Sequence, residues 1–225
     1  MKARTVIYGA GRQGMIVLET LRAIGKTEVI GFLDDNAAKH GTTFHELPIL
    51  GGMDWAKAHR SESSLGMIVA IGSNDARIAI GDKLREGGFA LLNVVHPSVV
   101  QMSGVTMGSG NLVCAGAILI EGTRLEDDVV VNSGAILEHD TLLHTGAQIA
   151  TGVHTAGCVE VGALAFIGVG AILGPRVSVG KRSIVGAGST VLSDIPANVI
   201  AYGTPARVIR EVPDSINWNE ILAHG

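Results

Sequence analysis

Between residues 99 and 193 the aliphatic positions fall six apart. Stepping by six from Met107 reaches Val113, Leu119, Leu125, Val131, Leu137, Leu143, Ile149, Thr155, Val161, Ile167, Leu173, Val179, Val185 and Val191. Fourteen of these fifteen positions are aliphatic, Met107 included, and Thr155 is the exception. Chance would place about five there. A second ladder, two residues earlier, is small or β-branched almost throughout: Val105, Asn111, Ala117, Thr123, Val129, Ala135, Thr141, Ala147, Val153, Val159, Ala165, Ala171, Val177, Ser183 and Ser189. Glycine follows the aliphatic position at 108, 162, 168, 174, 180 and 186.

The first 95 residues carry a different pattern. Thr5–Tyr8 is a short β-rich run that ends in Gly9-Ala10-Gly11-Arg12-Gln13-Gly14. Met15–Ile24 then places apolar residues at helical spacing, and Gly25 stops it. Val29–Leu33 and Met67–Ile71 read as strands, the first ending at Asp34-Asp35-Asn36 and the second at Gly72-Ser73-Asn74. Ala76–Glu86 reads as a helix closed by Gly87-Gly88, and Leu91–Val95 as a further strand. Strand, glycine-rich turn, helix, strand is the βαβ pattern of a parallel sheet.

The six-residue period resembles the hexapeptide repeat of left-handed parallel β-helices. That resemblance implies three hexads per triangular coil, with the aliphatic and small residues pointing inward and the rest turning the corners. Fifteen hexads make five coils without a loop insertion between 105 and 191. The expected fold is an α/β N-terminal Rossmann-like parallel-sheet domain over 1–95, then a left-handed β-helix over 96–210. Residues 211–225 are expected to form a cap or tail, with Trp218 as a packing anchor. His96-Pro97-Ser98 would mark the junction.

Composition narrows the function. Apolar residues are 47% and charged ones 17% of 225, which excludes a disordered chain. Aromatics are only 4%, as a narrow interior filled by Val, Leu, Ile, Ala and Thr requires. The net charge of −4 comes with no basic stripe, which argues against a nucleic-acid surface. The apolar run after Met1 is too short for a signal peptide or a membrane span. Cys114 and Cys158 form no CxxC pair and no disulfide framework, which suits a reducing cytoplasm. Both are expected to be structural. Mean hydropathy of +0.37 is high for a soluble monomer and points to apolar surface buried between subunits.

Two chemistries fit a protein of this repeat: acyl transfer from a thioester, and zinc-dependent carbonic anhydrase activity. His139 and His144 are spaced as two ligands of such a zinc site, but Met102–Glu121 holds no histidine for the third, so no metal is expected. In hexad phase Leu137 points inward and Glu138-His139-Asp140 form the next corner. A histidine flanked by carboxylates suits a general base, because the carboxylate favours the imidazolium that forms. Spacing alone favours the plainer reading, a solvated polar corner. G-x-G-x-x-G at Gly9–Gly14, with Asp34 and Asp35 after the second strand, also suits a dinucleotide, although no hydride-transfer constellation accompanies it.

Taken together, the Gly9–Gly14 turn, Asp34-Asp35, the Gly72-Ser73-Asn74 turn, the His96-Pro97-Ser98 junction, the Glu138-His139-Asp140 corner and the closing Gly203-Thr204-Pro205-Ala206-Arg207 stretch resemble the NeuD/PglD-like sugar acetyltransferases, over about residues 5–209. The resemblance implies acetyl-CoA-dependent N-acetylation of a nucleotide-linked 4-amino sugar. It assigns His139 as general base, with Asp140 raising its basicity and Glu138 as a second supporting carboxylate. It implies acetyl-CoA contacts at Gln148, where the family often has histidine, and at the main chain of Val169 and Ala187. The nucleotide sugar would meet Gly11, Arg12, Gln13, Asp34, Asp35, Gly72 and Ser73, with Gln13 replacing a common family histidine. It implies a homotrimer with acetyl-CoA between adjacent β-helices, for which outward rows such as Ile118, Ile136 and Ile172 would supply the interface. Two other readings remain: a sialic-acid-type O-acetyltransferase, and a non-catalytic nucleotide-binding trimeric scaffold.

Overall fold

The computed structural model describes residues 3–62 and 64–213. The expected cap at 211–225, with Trp218, lies almost wholly outside the described residues. The chain divides into two compact units, one running to Pro97 with Ser109–Leu112, the other taking Ser98–Gly108 and the residues from Val113 onward.

The first unit is built on strands β1 (Ala3–Tyr8), β2 (Thr27–Leu33), β3 (Thr43–Phe44), β4 (Leu47–Gly51), β5 (Leu65–Val69) and β6 (Ala90–Leu91). They lie in the order β3-β4-β2-β1-β5-β6, and all neighbours are parallel except the β3–β4 hairpin. Thr5, Val6, Ile7 and Tyr8 are all buried, because a parallel sheet is covered on both faces. Helix α1 (Arg12–Ile24) packs on β1 and β2, and α3 (Asn74–Glu86) on β5 and β6. Glycine ends α1 in the left-handed conformation at Gly25, φ 67°.

Two local expectations shift, and three elements had not been foreseen. Residues Ala70 and Ile71, read as strand, lie beyond β5: the Ala70 N–H is spent on the Tyr8 carbonyl, 2.7 Å, where the strands end. Leu91–Val95 is not one strand, since Leu92 turns its N–H to Met67 and Val94–Val95 pairs elsewhere. The β3–β4 hairpin and helix α2 (Met53–Ala58) carry too few periodic residues to stand out in the sequence.

The second unit is the triangular coil that the resemblance to hexapeptide β-helices implies. Two-residue strands stack in three parallel sheets, and each pairs with the residue 18 further on: Ile118↔Ile136, Arg124↔Leu142, Val130↔Gln148. Both ladders point inward. Leu119, Val131, Leu137, Leu143, Ile149, Val161 and Ile167 are fully buried, as are Ala117, Thr123, Val129, Ala135 and Thr141. Each fully buried aliphatic side chain contributes about 1.5–3 kcal/mol of transfer free energy. Ile118, Ile136 and Ile172 do face outward along one sheet, in register with His154. The antiparallel pair Val199–Gly203 and Ala206–Glu211 closes the last coil.

Candidate active site

In the first unit, a cavity of about 530 Å³ opens where the strand order reverses, between the ends of β1, β2 and β5. Its lining includes Gly11, Arg12, Gln13, Asp34, Asp35 and Gly72, six of the seven positions expected to meet the nucleotide sugar. The turn's three glycines do different work. Gly9, at φ 122°, turns the chain so close to β5 that a Cβ would fall 2.4 Å from the Ala70 carbonyl oxygen. A Cβ on Gly14 would fall 2.0 Å from the Gly9 oxygen, so α1 can approach the turn only with glycine there. Gly11 faces open space at the uncapped start of α1, where backbone N–H groups favour an anion.

The two aspartates part company. Asp34 accepts from Lys39 Nζ at 2.7 Å, Asn36 N at 3.0 Å and Ala10 N at 3.1 Å. Burial alone would raise its pKa, but these donors outweigh it and hold the carboxyl below the usual range. Asp34 is thus the brace of the turn. Asp35 is exposed and accepts from the Tyr8 hydroxyl. Burial, then the Asp35 carboxylate, push the Tyr8 phenol above its ordinary value, so it stays a protonated donor.

Ser73 is not among the cavity-lining residues. Its Oγ accepts from Ala76 N, 3.4 Å, as the N-cap of α3. The buried Arg77 donates to the Ile71 carbonyl at 3.1 Å and to Asn74 Oδ1 at 2.9 Å, which fixes the Gly72–Ser73 turn from below. Tyr8, Lys39 and Arg77 belong to no motif: Tyr8 meets Asp35 27 residues on, Lys39 reaches back 29 residues to the Ala10 carbonyl, and Arg77 holds the local Ile71 carbonyl and Asn74. A second cavity of about 650 Å³ shares Asp35 and carries Lys57, Arg60 and Lys83.

In the second unit, Glu138-His139-Asp140 turn a corner, as the hexad phase predicts. His139 Nδ1 lies 2.9 Å from Asp140 Oδ2, and both side chains are more than half exposed. With Nδ1–H donated to the carboxylate, Nε2 carries the lone pair, and it has no hydrogen bond among the described residues. Asp140 sits at φ 57°, in the left-handed region, and its Oδ1 lies against Gly122 of the preceding coil.

The interior beneath this corner is polar. At thirteen equivalent steps, from Met102 to Gly180, the N–H after the strand donates to a backbone carbonyl of the following coil. At Glu138 it donates instead to the Thr155 hydroxyl, 3.0 Å. Thr141 Oγ1 donates to the Glu138 carbonyl at 2.6 Å and lies 3.1 Å from Thr155 Oγ1. The one break in the aliphatic ladder therefore holds the backbone next to His139.

The other candidates fall elsewhere. His144 is clamped by Glu126 at 2.9 Å and Glu160 at 2.7 Å, so both ring nitrogens are engaged. Burial opposes its charge, but those two hydrogen bonds and charges prevail and raise its pKa. Val169 and Ala187 are exposed and stack 18 residues apart on another edge of the triangle. Gln148 lies in a strand, with its Oε1 buried and unpartnered among the described residues. The acyl-donor candidates thus do not share an edge with His139 within one chain.

Cys114 is buried, which pushes its thiol up to about 11. Cys158, expected to be structural, is instead exposed at the His139 corner. Donor atoms of His139, Asp140 and Cys158 lie within 4.8 Å of one another, a group that could hold one metal ion.

The architecture is that of a hexapeptide-repeat protein: a parallel-sheet unit followed by a left-handed β-helix, with a histidine–carboxylate pair on one corner. A family model, the PglD N-terminal domain, matches residues 4–84. The chain is similar to PerB from Caulobacter crescentus, solved in complex with CoA and GDP-perosamine: 36% identity over 91% of this chain and 96% of that one, TM-score 0.85. It is also similar to the acetyltransferase domain of PglB from Neisseria gonorrhoeae in complex with acetyl coenzyme A, 28% identical over 93% and 100% of the two chains, TM-score 0.86. WeeI from Acinetobacter baumannii is 25% identical over 91% and 99%, TM-score 0.81. None of the curated proteins compared matches the chain. The chain belongs to the NeuD/PglD-like family of sugar acetyltransferases and is a CoA-dependent acetyltransferase.

Proposed function

We propose that the protein transfers the acetyl group of acetyl-CoA to the amine of a nucleotide-linked 4-amino sugar. The observation that carries this reading is the His139–Asp140 pair with Nε2 unengaged on an exposed corner. Nε2 takes a proton from the acceptor nitrogen as that nitrogen attacks the thioester carbonyl. Asp140 holds the Nδ1–H and favours the imidazolium. The tetrahedral intermediate collapses and expels the CoA thiolate. No acyl-enzyme is required, since a neutral amine is itself a good nucleophile. Backbone N–H groups of the coils serve the oxyanion.

The nucleotide sugar binds in the first unit's cavity, with phosphates toward Gly11 and Arg12 and Asp35 accepting from the base or ribose. Acetyl-CoA binds along the Val169 and Ala187 edge, with Gln148 as a polar contact. Because that edge is not the His139 edge, a second copy supplies one half of the site, and the working unit is a homotrimer. The occupants follow from similarity to a CoA- and GDP-perosamine-bound relative. Among the described residues no helix is long and apolar enough to cross a membrane, and the exposed Cys158 suits a reducing cytoplasm.

The test is thiol release from acetyl-CoA against UDP-, GDP- and dTDP-linked 4-amino sugars. Release with at least one of them is expected, with matching loss of the amine. Release only with hydroxyl acceptors would turn the reading to O-acetylation. Nucleotide binding without any release would turn it to a non-catalytic scaffold.

A further inference from the structure

The corner edge that bears His139 repeats every 18 residues. Its first corner residue is Ser103, Glu121, His139, Gly157 and Pro175 in successive coils, and its second is Gly104, Gly122, Asp140, Cys158 and Arg176. Every second residue has positive φ, from 57° at Asp140 to 75° at Gly104 and Gly122. None of the first residues does. Backbone conformation therefore does not ask for glycine at 157. Serine, glutamate, histidine and proline hold the equivalent place in the other coils.

Space asks for it. A Cβ built on Gly157 falls 2.2 Å from Nε2, 2.4 Å from Cε1 and 2.8 Å from Cδ2 of His139. These are its three nearest neighbours, all in one ring. The imidazole thus occupies the volume that a side chain at 157 would fill. Its partner is accommodated in the same way one coil earlier, where a Cβ on Gly122 would fall 2.6 Å from Asp140 Oδ1. Gly122 is also held at φ 75°, so replacing it strains the backbone, whereas Gly157 is free of that complication.

We propose that Gly157 is a positioning residue for His139: its bare Cα is the seat on which the imidazole lies, and that seat keeps Nδ1 on Asp140. This rests on the reading of His139 as general base. A methyl group at 157 cannot share the space with the ring. The ring sits at the end of an exposed, rotatable side chain, so it swings away rather than the coil. Nδ1 then leaves Asp140, and Nε2 leaves the place where it meets the acceptor. Misplacing a catalytic group by about 1 Å can cost up to about 10²-fold in rate.

The experiment is a double-mutant cycle in the full chain, with Gly157→Ala, His139→Ala and the pair, assayed with acetyl-CoA and the amino-sugar nucleotide that the acceptor screen identifies. Gly157→Ala is expected to lower kcat about 10–100-fold, with both KM values within about twofold and the unfolding temperature nearly unchanged. In the His139→Ala background the same substitution is expected to change kcat less than about twofold, because the displaced ring is gone. A crystal structure of Gly157→Ala should show the His139 ring turned off Asp140. Wild-type kcat in Gly157→Ala beside a crippled His139→Ala overturns the proposal. So does an equal loss in both backgrounds, or a ring still seated on Asp140. Full activity of His139→Ala is a separate outcome: it defeats the general-base reading itself and the proposal with it.

Discussion

The two units place their candidate functional groups by opposite means. In the α/β unit the site lies where the regular structure stops. β1, β2 and β5 end together, and the released backbone forms the cavity with Gly11, Asp35 and Gly72. In the β-helix no end is available, and fifteen hexads offer much the same corner repeatedly. A site there has to be made by departing from the repeat. Thr155 breaks the aliphatic ladder, Gly157 leaves its corner without a side chain, and the His139 ring fills the space. In a sheet unit, function is sought at strand ends; in a solenoid, at the exceptions to the period.

The comparison breaks most plainly at His139. His139→Asn is expected to lower kcat by about 10²–10⁴, the range for loss of a general base, with the unfolding temperature held, since the corner carries no core volume. With an amine acceptor the defect should shrink as pH rises and more free amine is present. A hydroxyl acceptor would show no such recovery. Unchanged kcat at pH 7 would return the corner to a plain turn.

Asp35 tests the other unit. Asp35→Ala should raise KM for the sugar nucleotide by about tenfold or more, the scale of a lost hydrogen bond to a charged group, and leave KM for acetyl-CoA within experimental scatter. Equal effects on both would make Asp35 a structural partner of Tyr8. Asp34→Ala should differ in kind, lowering thermal stability as well, because Asp34 braces the Ala10 and Asn36 backbone.

Thr155→Val sharpens the idea that exceptions mark the site. It completes the aliphatic ladder yet leaves the Glu138 N–H without its acceptor. A buried, unsatisfied donor costs about 1–3 kcal/mol, so the substitution should destabilise where the repeat alone predicts a gain. It should also lower kcat through the neighbouring His139. Improved stability with full activity would make Thr155 an ordinary ladder position.

The smallest effect is expected at His144, which serves the repeat alone. Its raised pKa contributes stability that is present below the ordinary value of 6.5 and is lost as pH rises through the folded value. Glu126 is held low: burial opposes this, but Thr145 and His144 prevail. Its contribution is present above the ordinary 4.5 and is lost as pH falls through the folded value. His144→Ala should therefore cost most between about pH 4.5 and 6.5. Solvent around the glutamates keeps this to about 1 kcal/mol or less. Denaturant unfolding across that range measures it, and a pH-independent difference would remove the clamp from the account.

Much was legible in the residues. Period six is a local property, so the repeat could be counted; its resemblance to hexapeptide β-helices then implied the coil, its inward ladders and the exposed corner at His139. The Gly9–Gly14 turn and the strands around it follow from composition on a similarly short scale. Even Thr155 stood out as the missing aliphatic, although the ladder alone does not say what its hydroxyl does.

Tertiary structure decided the rest, because it concerns groups brought together across the chain. Asp34 and Asp35 are adjacent, chemically identical and both on the cavity wall, yet Lys39 and two backbone N–H groups claim one while Tyr8 donates to the other. His139 and His144 look alike in sequence, but only stacking at 18 residues sets one beside two glutamates and the other over Gly157. Sequence determined the repeat because hydrophobic burial acts position by position. Which polar atoms stayed unengaged was decided only when the coils and strands closed, since a hydrogen bond or a steric seat depends on both partners' places in space.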